Sequence, residues 1–281
     1  MNAFQCFFTF DPRMTEFYDT HAHLDFPDFE ADLPEVVGRA ESAGVTRIVT
    51  IGTTLEGSRR AVAIAERFSC VFAAVGVHPG HVDESPDEIR DEIRKLAARP
   101  KVVAIGETGL DFFRRPGAEP VPEEVAAINR RRQESLFRQQ LEVAGELGLP
   151  VVVHTRDSFR PTMELLRCDG AGVRTVFHCW VGSLEEALSV VATGSLVSFT
   201  GIATFKNGAA IRSVAAAVPS GTFQLETDCP FLAPVPHRGR RCEPAHVADL
   251  APVIAEVRGV TLEALSKETC ATARGFFQRM A

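Results

Sequence analysis

Short β-branched runs alternate with helix-length amphipathic segments along almost the whole chain. Residues 17–21, 47–51, 71–77, 102–107, 151–154, 175–178, 196–200 and 223–228 are apolar runs rich in Val, Ile, Phe and Thr, the pattern of strands. Residues 34–43, 57–68, 87–98, 130–147, 161–167 and 184–193 open on polar residues and repeat apolar positions at helical spacing, which predicts helices. This alternation makes a parallel sheet with helical crossovers, and eight strands close it into a single-domain (β/α)8 TIM-type barrel. Residues 114–122, rich in Pro and Gly, are expected to form a longer loop after the fourth strand. The pattern begins at Phe17, so residues 1–16 are expected to be an N-terminal extension of a barrel spanning 17–281, with Met14 the expected natural start of translation.

A parallel barrel carries its active site at the carboxyl ends of its strands, so the last residues of each run are the ones to inspect. Five of the eight predicted ends hold metal-ligand residue types. His21 and His23 flank Ala22, and a spacing of two sets both imidazoles on one side of an extended chain. Glu107 closes the fourth run, His154 the fifth, His178 the sixth and Asp228 the eighth. A lone His at a strand end is ordinarily a structural residue, and His-x-His by itself is weak evidence. Six such residues ordered around one mouth form a mixed nitrogen and oxygen set suited to two divalent ions such as Zn, Mg or Mn, with Glu107 or a hydroxide as the bridge.

The segments around these ends are Asp19-Thr20-His21-Ala22-His23-Leu24, Gly76-Val77-His78-Pro79, Gly106-Glu107-Thr108-Gly109-Leu110-Asp111, His154-Thr155-Arg156, Phe177-His178-Cys179, Phe205-Lys206-Asn207 and Glu226-Thr227-Asp228-Cys229-Pro230. In this order they resemble the TatD family of metal-dependent deoxyribonucleases, within the amidohydrolase-type metal barrels. The resemblance runs from about residue 17 to the end, with Ala22 where the family often has Cys and Cys242 where it often has Asn. It implies that His21, His23, Glu107, His154, His178 and Asp228 hold the metals. Asp228 is then expected to be both ligand and acceptor of the water proton. Glu226, two residues earlier, is expected to face the same side of a regular strand and to orient a ligand or hold a further metal. His78 is a candidate substrate contact, against the plainer reading of a structural turn before Pro79. Cys229, next to Asp228, should point the opposite way as a buried thiol.

Charge changes the picture of how a nucleic acid would be held. The 281 residues carry a formal net charge of -7, which argues against broad adhesion to duplex DNA and makes any phosphate grip local. Arg238, Arg240 and Arg241 after the last strand, with Lys206 after the seventh, are the expected cationic track. The competing reading has these arginines solvated or paired with Glu243. The expected substrate is DNA, as single strands or ends, cleaved exonucleolytically. Seven scattered cysteines without Cys-x-x-Cys spacing fit reduced thiols in the cytoplasm, and no membrane segment or signal peptide is read.

Other chemistries remain open on such a barrel: a lactonase, an amidohydrolase acting on amides or nucleobase amines, or a tRNA-ester hydrolase. Glu107 stands where many binuclear amide hydrolases bridge with a carbamylated Lys, and Asp157 stands where related deaminases place a Glu after the fifth-strand His. A non-catalytic metal-binding protein is disfavoured, because structural sites usually close with Cys and His near in sequence, whereas these ligands include carboxylates and come from five strand ends.

Overall fold

The computed structural model describes residues 15–113 and 121–280. Eight parallel strands run in sequence order: β1 Phe17–Ala22, β2 Val45–Ile51, β3 Val71–Val75, β4 Val102–Asp111, β5 Val151–Arg156, β6 Thr175–Phe177, β7 Leu196–Phe199 and β8 Phe223–Leu225. A bridge between Ala22 and Cys229 closes the ring, with His23 N–H donating to Cys229 O and Asp228 N–H to His21 O. The seam of the barrel is therefore sewn by the residues that also carry two sides of the candidate site. Helices cover the outside: α1 Leu33–Ser42, α2 Leu55–Arg67, α3 Arg90–Ala97, α4 Glu123–Leu147, α5 Phe159–Cys168, α6 Leu184–Ala192, α7 Ala209–Ala217, α8 Val247–Arg258 and α9 Leu262–Phe276.

Local chemistry accounts for several boundaries. Thr54 and Thr261 cap α2 and α9 by accepting backbone N–H bonds, and Ser183 with Glu186 forms a reciprocal capping box on α6. Gly148 ends α4 in the left-handed conformation. This helix starts at Glu123 rather than near residue 130, and its first turn carries Glu123 and Glu124 where acidic side chains favour the helix dipole. Of the expected long loop at 114–122, residues 114–120 lie outside the described residues, and so do residues 1–14 of the expected extension. Glu16 is tied to the barrel, with Ser266 Oγ donating to its carbonyl and Thr46 Oγ1 to its carboxylate.

At the amino ends of the strands the interior is apolar. Val49, Phe72, Val103, Val152 and Val176 pack with Phe276, Phe277 and Met280 of the C-terminal segment. Arg279 donates to Ala97 O and Val102 O, and Arg174 to Gly275 O and Phe276 O, so two guanidiniums latch that segment across the barrel floor. No helix among the described residues is long and apolar enough to cross a membrane.

Candidate metal centre

At the opposite end the polar residues converge. β1 and the residue just past its end turn the buried imidazoles of His21 and His23 inward, with their Nε2 atoms 3.2 Å apart. Glu107 Oε2 lies 3.4 Å from His21 Nε2 and 3.8 Å from His23 Nε2, while Asp228 Oδ1 lies 3.6 and 3.3 Å from the same two atoms. A tetrahedral ion with bonds of about 2.0–2.1 Å holds its donors about 3.3–3.4 Å apart, so these four atoms already have the spacing of one coordination shell. The other oxygen of Glu107, Oε1, lies 2.8 Å from His154 Nδ1 and 2.7 Å from His178 Nε2, which are 3.0 Å from each other. One carboxylate thus faces two groups of imidazoles, one oxygen to each.

The six residues expected to hold metal are all brought to this point, although their strand positions differ from the expectation. β4 runs on to Asp111, four residues past Glu107, and β5 ends two residues past His154. Gly109 makes the long β4 workable: its φ is 136°, and a Cβ there would lie 2.1 Å from His154 O. β8 ends at Leu225, and Asp228 has φ 57°, so the expected regular strand through Glu226 and Asp228 does not form. The two carboxylates consequently meet different atoms. Asp228 faces the Nε2 pair of His21 and His23, whereas Glu226 Oε1 accepts from Cys179 N–H and lies 3.6 Å from His178 Nδ1. His21, His178 and Glu226 also form a compact donor group of their own. Cys229 is fully buried, as expected, although the strand alternation behind that expectation does not hold past Leu225.

Orienting contacts set which imidazole nitrogens stay available. His23 Nδ1 lies 3.1 Å from Ile51 O, which makes Nδ1 the donor and leaves the Nε2 lone pair facing the site. His154 Nε2 lies 3.2 Å from Asp111 Oδ2, and Arg156 fixes that carboxylate through both of its oxygens. Asp19, wholly buried beneath His21, accepts from Thr227 N–H, Thr227 Oγ1 and His21 N–H. Burial pushes its carboxyl up to about 8 against those hydrogen bonds. Neither Asp19 nor Asp111 has a role assigned from sequence. Both sit in the motifs that carry the expected ligands, and Asp111 has the even spacing from Glu107 that puts two strand residues on one side.

The charges at the centre are mutually dependent. Burial alone would neutralise Glu107, but His178, His78 and His154 hold its carboxyl well below the usual range. Burial depresses His178, and Glu107 with Glu226 outweighs it to raise the imidazole well above its ordinary value. Protons on His154 and His178, whose imidazoles are both raised, supply positive charge that Glu107 requires, in positions where cations fit. When bound, divalent ions supply Lewis-acid chemistry, acidifying water and neutralising charge on a phosphoryl oxygen.

The remaining expected residues lie around the mouth. His78 Nε2 is 3.5 Å from Glu107 Oε1, and its Nδ1 accepts from Gly80 N–H, so the residue both caps a turn and reaches the centre. Burial pushes its imidazole down to about 3. Lys206, Arg238 and Arg240 are exposed and form no ion pair with any described residue, and the Arg238 guanidinium lies 3.7 Å from the centre of the Phe205 ring. Arg241 differs from the expected track: it donates to Asp28 O, to both oxygens of Asp32 and to Glu243. The pairing reading describes this arginine and leaves its neighbours available.

Comparison with known proteins gives the same picture. The model of the family described as TatD related DNase matches residues 18–278. The uncharacterized metal-dependent hydrolase YabD of Bacillus subtilis is 36% identical over 93% of this chain and 98% of its own length. The 3'-5' ssDNA/RNA exonuclease TatD of Enterobacter lignolyticus is 35% identical over 92% of this chain and 98% of its own. The crystal structure of YJJV, a TatD homologue from Escherichia coli, superposes with a TM-score of 0.84 at 30% identity, covering 94% of this chain and 98% of that one. Sequence, fold and the convergence of ligand-type side chains agree, and the chain belongs to the TatD family of metal-dependent hydrolases.

Proposed function

We propose that this chain is a deoxyribonuclease that hydrolyses phosphodiester bonds from the ends of single-stranded DNA, with two divalent ions at the Glu107 centre. The observation that carries the reading is the placement of Glu107, with one carboxylate oxygen toward His21 and His23 and the other toward His154 and His178. Two charges held about 3.5–4 Å apart suit the attacking and leaving oxygens of a phosphodiester. His21, His23 and Asp228 would hold one ion, His154 and His178 the other, and Glu107 both. Asp228 is the carboxylate at the open edge of the first group and takes the proton of the attacking water. Glu226 orients His178, and His78 contacts the substrate beside Glu107. Lys206, Arg238 and Arg240 bind phosphate at the rim, where an acidic protein needs a local cationic surface, while Arg241 positions that segment through Asp32 and Glu243. Relatives named as 3'-5' ssDNA/RNA exonucleases support the nucleic-acid substrate. The six described cysteines stand as free thiols, which supports a reducing cytoplasmic setting.

The test is a matched assay on 3'- and 5'-labelled single-stranded DNA, duplex DNA, RNA and an aryl lactone, with Zn, Mg or Mn and with chelator. Metal-dependent shortening of single-stranded DNA from one end is expected. Turnover of the lactone with every nucleic acid left intact would replace the nuclease reading by a lactonase on the same centre.

A further inference from the structure

The helices around the barrel part between α5 and α6. A cavity of about 880 Å³ opens there, floored by Thr175 and Ser195 and walled by Met163, Leu166 and Arg167 of α5. A second cavity of about 490 Å³ lies between the loops that follow β5 and β6 and reaches His178 of the metal centre. Phe159 and Arg160 line both, so the two cavities adjoin at the start of α5, and together they are read as a trough from His178 down the side of the barrel.

The trough has the chemistry of a single-strand path. Arg160, Met163 and Arg167 recur at the spacing of one helix face, which sets two guanidiniums and an apolar side chain along the same wall. Neither Arg160 nor Arg167 pairs with a described acid, whereas Arg39, Arg59, Arg90, Arg94, Arg99 and Arg138 all do. Of the acids in the walls, Glu186 is occupied by its capping box, which leaves Glu164 and Asp157 against the arginines. Phe159, Met163 and Leu166 offer apolar surface for bases, and the buried Trp180 Nε1–H in the upper wall has no partner among the described residues. Cationic side chains along the backbone with apolar faces for bases are the recurring elements of single-strand grooves.

We propose that the body of a single-stranded polynucleotide, with its end at the metal centre, runs through this trough between α5 and α6. The inference rests on the nuclease reading above and adds the direction in which the strand leaves the site. From Arg160 to Gly170 the wall is about 15 Å long, room for about two to four nucleotides at about 3.4 Å per stacked nucleotide or roughly twice that when stretched. The rim of Lys206, Arg238 and Arg240 then serves the nucleotide on the other side of the scissile bond.

The test uses the metal-loaded full chain and oligothymidylates of two, four and six nucleotides, comparing the ratio of kcat/KM for the hexamer to that for the dimer. The ratio normalises for the fraction of active enzyme, and a melting curve checks the fold of each variant. The wild type should favour the hexamer by at least ~10-fold through KM, and Arg160→Glu with Arg167→Glu should remove most of that preference. Changing both residues to Ala should lower the log-log salt slope of hexamer binding by about 0.7 for each phosphate no longer neutralised. An unchanged length preference in the folded charge-reversal variant overturns the inference while leaving the nuclease standing. Loss of the preference in Arg240→Glu alone would route the strand over the β7–β8 rim and overturn it too. Failure of the wild type to cleave any oligonucleotide with any of the metals overturns the nuclease reading and the inference together.

Discussion

The two ends of this barrel bury side chains by opposite means. At the floor, Val49, Phe72, Val103, Val152 and Val176 meet Phe276, Phe277 and Met280, and exclusion of water from apolar surface is sufficient to hold them. At the mouth the same ring of strands buries Asp19, His21, His23, Glu107, His178 and Glu226. Buried polar groups are costly unless partnered, and here they partner one another in a set whose charges balance only with protons or cations present. The floor is therefore built for stability. The mouth buries its polar side chains at a cost to stability that bound cations would offset.

Substitutions can break this division. The largest effect is expected at the mouth: Glu107→Gln should lower turnover by about 10²–10⁴-fold at saturating metal, measured by steady-state hydrolysis, with circular dichroism showing a folded chain. Near-wild-type turnover would remove Glu107 from the centre. The converse substitution is Phe277→Ala, which empties a fully buried site in the floor and should cost about 3–5 kcal/mol in urea unfolding. Turnover per native molecule should stay the same, and a proportionate fall in kcat would show that floor and mouth are coupled.

Asp111→Asn sharpens the comparison inside the mouth. Asp111 touches His154 rather than the two Nε2 atoms of His21 and His23, so under the two-ion proposal one ion should bind about 10–100-fold more weakly and the other should be unaffected. Metal titration by calorimetry would resolve the two steps, and equal weakening of both would refute the assignment. Activity should recover at high metal concentration.

The smallest effect belongs to the exposed rim. Hydrogen bonds from Arg241, with Arg39 adding to them, hold the Asp32 carboxyl down to about 2 from an ordinary value of 3.8. A depressed folded value means that the stabilisation is present above the unfolded value and is lost as pH falls through about 2. The melting-temperature difference between wild type and Asp32→Asn should thus be small, constant above about pH 5 and vanishing near pH 2. A difference that grew on acidification would assign the effect to another group.

Much of the architecture is legible from local pattern. All eight strands follow from their apolar runs, and His21, His23, Glu107, His154, His178 and Asp228 stand out because barrel chemistry concentrates at carboxyl ends. Boundaries are less legible. The amphipathic pattern of α4 strengthens only near residue 130, seven residues after Glu123 begins the hydrogen-bonded helix. The run at 223–228 has the composition of one strand, but its last residues leave the sheet to set Asp228 against His21 and His23.

The amino-acid order determined the strand and helix alternation, and with it which side chains arrive at one end of a closed sheet. That follows from periodicity, a property of neighbours in the chain. Only the tertiary structure decided what each arrival touches. Arg240 and Arg241 are adjacent and identical in type, yet Arg241 is held by Asp32 and Glu243 while Arg240 has no acid within reach among the described residues. Asp111 becomes a partner of His154 because β4 and β5 pair in a register that sets Gly109 beside His154. Contacts between strands depend on register and on the path of the turns, and a one-residue shift would send each side chain to the other face. The candidate donors could therefore be read along the chain, but their division about Glu107 required the closed barrel.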